Sequence, residues 1–162
     1  MPTLGSAMKI GLVCLAMVLV GAVLVMREGT DPVSRTAAAK TPHRVVLQIN
    51  SNDSATMNLA LNNASNVEQY YKELGEKVEI EVVAFGAGLH MLRDDTSPVK
   101  ERITAVSEKT TSITFKACGN TQENMHKAER KDIPLVSQAK LVKSGVVRIM
   151  ELQEQGWTYV RP

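Results

Sequence analysis

The chain has 162 residues, with 19 basic and 17 acidic side chains spread along it, so its formal charge of +2 excludes the dense cationic field that a nucleic-acid backbone requires. Its length suits one folded domain and not two, and its two cysteines, Cys14 and Cys118, leave no internal disulfide once the apolar N-terminal stretch that holds Cys14 is set apart.

Residues 10–26 run without a charge between Lys9 and Arg27. That is short for a membrane-spanning helix and long for the apolar part of a signal peptide, and no well-placed small-residue cleavage site follows. An uncleaved anchor is expected, with residues 1–28 as signal anchor or signal peptide. The domain beyond it then lies on the exported, periplasmic side of the cytoplasmic membrane. Residues 29–42, rich in small residues and carrying Gly29, Pro32 and Pro42, have no sustained apolar period and read as a tether. The folded domain is expected over residues 43–162.

Within it, strand and helix patterns alternate. Val45 to Ile49 predicts a short buried strand, closed by Asn50-Ser51-Asn52-Asp53 with turn and N-cap chemistry. Met57, Ala60, Leu61, Ala64, Val67, Tyr71 and Leu74 then recur on one helical face, and Gly75 stops that helix. Residues 77–85, KVEIEVVAF, predict a second strand whose continuously apolar end suits burial on both faces. A loop over residues 86–91 follows, and Ser97 with Pro98 predicts the start of a helix carrying Val99, Ile103 and Val106. Residues 112–117 predict a third strand, and Asn120 with Glu123 predicts a capped helix start. Residues 133–136 predict a fourth strand, Ser144 a cap for a helix carrying Val146, Ile149 and Met150, and residues 157–160 a last strand. Strands alternating with helices in this way predict an open α/β sandwich, a mainly parallel sheet layered between helices.

In such sheets ligands bind beyond the carboxyl ends of the strands. Three loops fit that position: residues 50–53 with Asn50, residues 86–90 with Gly86, Gly88 and His90, and residues 118–120 with Cys118, Gly119 and Asn120. A thiol at a strand-to-helix turn faces unpaired backbone N–H groups and the positive end of the helix dipole, which favour the nucleophilic thiolate. Gly119 leaves room beside the sulfur, and His90 is a candidate base or cationic neighbour. The alternative for Cys118 is a small core side chain at the end of a buried strand, and for His90 an exposed loop histidine. Met91 stands where a dinucleotide fingerprint needs its third glycine, no phosphate-loop lysine is present, and Cys118, His90 and His126 lack the spacing of a metal site. No metal or other cofactor is expected. Asp94-Asp95 reads as a solvated turn.

Three stretches together resemble the DsrE/DsrF-like family: Gly86-x-Gly88 with Leu89 and Leu92; Phe115-Lys116-Ala117-Cys118-Gly119-Asn120-Thr121; and Ser144-Gly145-Val146-Val147 running to the Leu152-Gln153 and Gly156-Trp157-Thr158-Tyr159 ending. The resemblance covers residues 44–162. It implies a flavodoxin-like layered sandwich, assembly into homotrimers or hexamers, and a Cys118 that carries sulfane sulfur as a persulfide between a donor and an acceptor. A non-catalytic small-ligand-binding or assembly module of the same fold is the alternative.

Overall fold

The structure, a computed structural model, describes residues 41–162. The elements are β1 (His43–Ile49), α1 (Ser54–Glu73), β2 (Val78–Ala84), a 3₁₀ segment (Gly86–Leu92), α2 (Lys100–Lys109), β3 (Ile113–Cys118), α3 (Gly119–Glu129), β4 (Ala139–Val142), α4 (Gly145–Glu154) and β5 (Thr158–Val160). The expected membrane segment, residues 10–26, lies outside the described residues, and so does the tether apart from residues 41 and 42. Among the described residues no helix is long and apolar enough to cross a membrane.

The sheet has five strands in the order β4-β3-β2-β1-β5, every neighbouring pair parallel. The α/β expectation therefore holds. The crossovers from β1 through β4 step in one direction across the sheet, and the connection from β4 to β5 returns over the whole of it. Right-handed crossovers then put α1, α2 and α3 on one face and, among the described residues, α4 alone on the other. Packing agrees with this: Leu47, Ile80 and Phe115 meet Met57, Leu61 and Ile103 in a large first-face core, with Met125 of α3 against it. On the second face only Val46 and Val83 pack with Ile149 and Leu152 of α4, bordered by Phe85 and Trp157.

Local chemistry explains most of the elements. The Asp53 carboxylate caps α1 by accepting the Thr56 N–H at 2.8 Å, and Gly75 follows that helix at φ +68°. Leu74, expected on the buried face, stands exposed at the helix end, where the chain has already turned away. The segment after β2 is a 3₁₀ helix rather than an open loop, because Gly86 at φ +54° turns the chain and Leu89, Met91 and Leu92 are drawn into the core. The helix expected to start at Ser97 and Pro98 begins at Lys100; the Ser97 hydroxyl donates to the Met91 carbonyl at 2.6 Å and accepts the Val99 N–H at 3.3 Å ahead of it.

The fourth strand lies further along than expected. Ile133 and Val136 are buried, but Pro134 has no N–H for a ladder, and its carbonyl accepts the Asp94 N–H at 2.8 Å. Leu135 makes a single antiparallel bridge to Arg93, and the true strand, Ala139–Val142, joins the sheet after this detour. On α4, Ile149 and Leu152 face inward while Val146 and Met150 face solvent.

Candidate functional site: a thiol between two helix starts

β3 runs into α3 with no spacer, so Cys118 is both the last strand residue and the N-cap of the helix. Asn120, expected as the cap, lies inside the first turn with its N–H donated to the Lys143 carbonyl at 3.1 Å, and Glu123 pairs with Lys127 rather than reaching back. On the neighbouring strand Val142 pairs with Cys118, and two residues later Ser144 opens α4. α3 leaves these adjacent strands toward the first face and α4 toward the second. The crevice between β3 and β4 is thus the switch point at which open α/β sheets bind ligands.

Both helix starts address the sulfur. Burial pushes the Cys118 thiol up, but hydrogen bonds from the Thr121 side chain and from the backbone N–H groups of Gly145, Thr121 and Asn120 outweigh it and hold the thiol below its ordinary value. The Thr121 hydroxyl oxygen accepts the Gly86 N–H at 3.0 Å, which leaves its own hydrogen for the sulfur. Gly145 is needed for close approach: a Cβ there would stand 3.0 Å from Phe85 and 3.3 Å from the Cys118 Cβ. The space beside Gly119 is taken on one side by the chain's own turn, with the Val142 carbonyl oxygen 3.2 Å from where a Cβ would be. Cys118 itself is only 4% exposed.

Two depressions flank this edge of the sheet. One of about 410 Å³ includes Gly119, Gln122, His126 and Leu141 in its wall, and one of about 550 Å³ includes Asn120, Lys143, Ser144, Val147 and Arg148. A larger depression of about 790 Å³ lies between α1 and α2 near Ile113, at the amino end of β3 and away from the thiol.

The structure joins the three expected loops in pairs. Gly86 reaches the Cys118 turn through Thr121, while Gly88 packs on the end of β1, where a Cβ would stand 2.2 Å from the Ile49 carbonyl oxygen and 2.8 Å from Asn50 Cα. Asn50 is exposed beside that contact. His90 is not among the groups that act on Cys118; its Nδ1 is bonded to the Thr96 hydroxyl at 2.9 Å. His126 Nδ1 receives nothing from the thiol either and pairs with the Lys131 carbonyl at 2.8 Å. Among the described residues no cluster of three or more His, Cys, Asp or Glu side chains suits a metal ion.

Charged groups that sequence patterns missed hold the surroundings together. Arg93, 1% exposed, forks onto Asp95 at 2.8 and 2.9 Å and onto Glu129 at 2.5 and 2.9 Å, tying the segment after β2 to the end of α3. Asp94-Asp95 is therefore more than a solvated turn. Under α4, the buried Glu81 carboxylate takes a forked pair from Arg148 at 2.6 and 3.0 Å, with Lys116 at 3.8 Å. The one sequence sign of this pair was an acidic residue in the apolar run of β2.

No family model matches the chain, and no curated protein matches it. A solved structure does: protein MTH1491 from Methanobacterium thermoautotrophicum, described as a protein of unknown function, is 32% identical, with a TM-score of 0.63. The match covers 74% of this chain and 99% of that one, so the same fold stands there as a whole protein.

Proposed function

The chain belongs to the family of MTH1491, whose function is unknown, and from the chemistry of the site we propose that it carries sulfane sulfur on Cys118. The reading rests on one observation above all, the place of Cys118 at the N-cap of α3 and beside the start of α4, where the Thr121 side chain and nearby backbone N–H groups hold the thiol below its ordinary value. The DsrE/DsrF-like resemblance of the Cys118-Gly119-Asn120 turn supports the same chemistry. The Cys118 thiolate attacks the outer sulfur of a donor persulfide, R–S–SH. The new S–S bond forms at Cys118 as the donor's own S–S bond breaks, and the donor leaves as a thiolate that takes up the proton of the transferred sulfur. Delivery to an acceptor thiolate is the reverse exchange, so no electrons are gained or lost and no cofactor enters. The donors that stabilise the thiolate stabilise the terminal persulfide anion in the same way. The exported, membrane-tethered setting expected from residues 10–26 belongs to this proposal.

Near-complete burial of Cys118 favours a second reading, a small-ligand-binding or assembly module in which the thiol is packed and inert. Alkylation of Cys118 in the unit Ala39–Pro162, followed against pH, separates the two. The carrier requires a rate midpoint below the ordinary thiol value of about 8.5 and a one-sulfur mass gain after polysulfide exposure that is lost in Cys118→Ser. A thiol that reacts only on unfolding would establish the module instead.

A further inference from the structure

The depression of about 790 Å³ between α1 and α2 has the size of a small-molecule site, which runs from about 300 to 1,000 Å³. Its walls gather charges that the chain leaves unmatched. Arg102 reaches from α2 to α1, where Nη1 donates to the main-chain and side-chain oxygens of Asn58 and Nη2 donates to Asn62 Oδ1 at 2.7 Å. All three acceptors are neutral, and Nε–H with one N–H of Nη2 is left undonated. With the same two atoms Arg93 takes Asp95 and Arg148 takes Glu81, side by side. Arg102 thus holds a fixed fork for a carboxylate, and among the described residues no carboxylate fills it.

Lys72 and Lys109 stand toward the other end of the depression, both exposed and, among the described residues, without an ion-pair partner. Two acids share the wall. Glu73 accepts the Gln69 side-chain N–H at 2.9 Å, whereas Glu68, one turn before Lys72, has no partner among the described residues. Val106 and Ile113 supply apolar surface.

We propose that this depression binds an acidic amino acid, a small molecule with two carboxylates and one ammonium group. One carboxylate takes the Arg102 fork, the other meets Lys72 and Lys109, and the ammonium meets Glu68. Arg102 and Lys109 are seven residues apart on α2, about 10 Å of helix rise; two hydrogen bonds of about 3 Å leave about 4–5 Å between the carboxylates, the reach of a two- or three-carbon spacer. A monocarboxylate leaves one cationic end unpaired, and a dicarboxylate without the ammonium faces Glu68 with nothing to offer it. The inference is independent of what Cys118 does.

The test is calorimetric titration of the unit Ala39–Pro162, whose fold stands as a whole protein in MTH1491, with L-glutamate, glutarate and L-glutamine. L-glutamate should bind saturably, and glutarate and L-glutamine about tenfold more weakly, each lacking one charged partner. K72Q and K109Q, at exposed positions, should each weaken L-glutamate about tenfold with the urea midpoint unchanged. E68Q should weaken L-glutamate and strengthen glutarate, opposite shifts that a merely structural role would not produce. No saturable binding of L-glutamate, an affinity untouched by K72Q and K109Q, or an E68Q that moves both ligands alike would overturn the proposal.

Discussion

The thiol of Cys118 is governed by two opposing effects, a buried environment that disfavours charge and a set of donors that favours it, and the donors win. Thr121 is the largest of them, and its hydroxyl is aimed by the Gly86 N–H. Thr121→Val, which keeps the shape and removes the hydrogen, should raise the midpoint of Cys118 alkylation and slow the reaction several-fold at neutral pH. Thr121→Ser should restore both, which a merely structural role would not require. A depressed folded-state value also has a consequence for stability. The stabilisation from the thiolate is fully present above the unfolded cysteine value of about 8.5 and is lost as pH falls through the folded value. Urea melts at several pH values should therefore show a rise in stability toward alkaline pH that Cys118→Ser flattens. The strand-to-helix turn around Cys118 was legible from residues 112–124, because alternation gives way to helical chemistry there. The share of Gly145 was not, because its N–H arrives from 27 positions further on through the pairing of β3 with β4, and local patterning carries no information on which strands are neighbours.

Elements are locked to one another by groups whose partners lie far apart in sequence. Arg93 is buried between Asp95 and Glu129, and its guanidinium, with Lys131, holds both carboxylates below their usual range. Arg93→Leu should cost about 3 kcal/mol at neutral pH, the lower end for a broken buried pair, since both carboxylates keep some access to water. The sign with pH follows from the depressed carboxylates. Their contribution is complete above about pH 5 and fades as pH falls below it, so the gap between wild type and Arg93→Leu should narrow in acid. Gly88→Ala is the steric counterpart, because its Cβ would meet backbone of β1 rather than a movable side chain. It should destabilise by about 1–3 kcal/mol or more, read from the urea midpoint. Periodicity located α1, β2 and β3 well because burial there is regular. It misplaced β4 because Ile133 and Val136 are buried by a non-strand segment around Pro134, and apolar spacing alone does not distinguish the two.

At the scale of the molecule the sheet is covered unequally, by three helices over a large core and by α4 over a small one. The site straddles that division, since α3 brings Thr121 from the better-packed side and α4 brings Gly145 from the weaker. Cys118 thus couples the two faces. Cavities on either face should cost comparable stability, about 2–5 kcal/mol for a buried Leu→Ala change, but their effects on the thiol should differ. Leu152→Ala loosens α4, and the Gly145 N–H with it, so it should raise the Cys118 alkylation midpoint as well as lower the urea midpoint. Leu61→Ala removes a similar volume beneath α1, at a position remote from both helix starts, and should lower the urea midpoint alone. Equal movement of the thiol midpoint in both variants would mean that global stability sets its reactivity. A shift confined to Leu152→Ala would show that the small second core positions α4 for the thiol, which is why one ten-residue helix, pinned by Ile149, Leu152 and the Glu81–Arg148 pair, suffices to build half of the site.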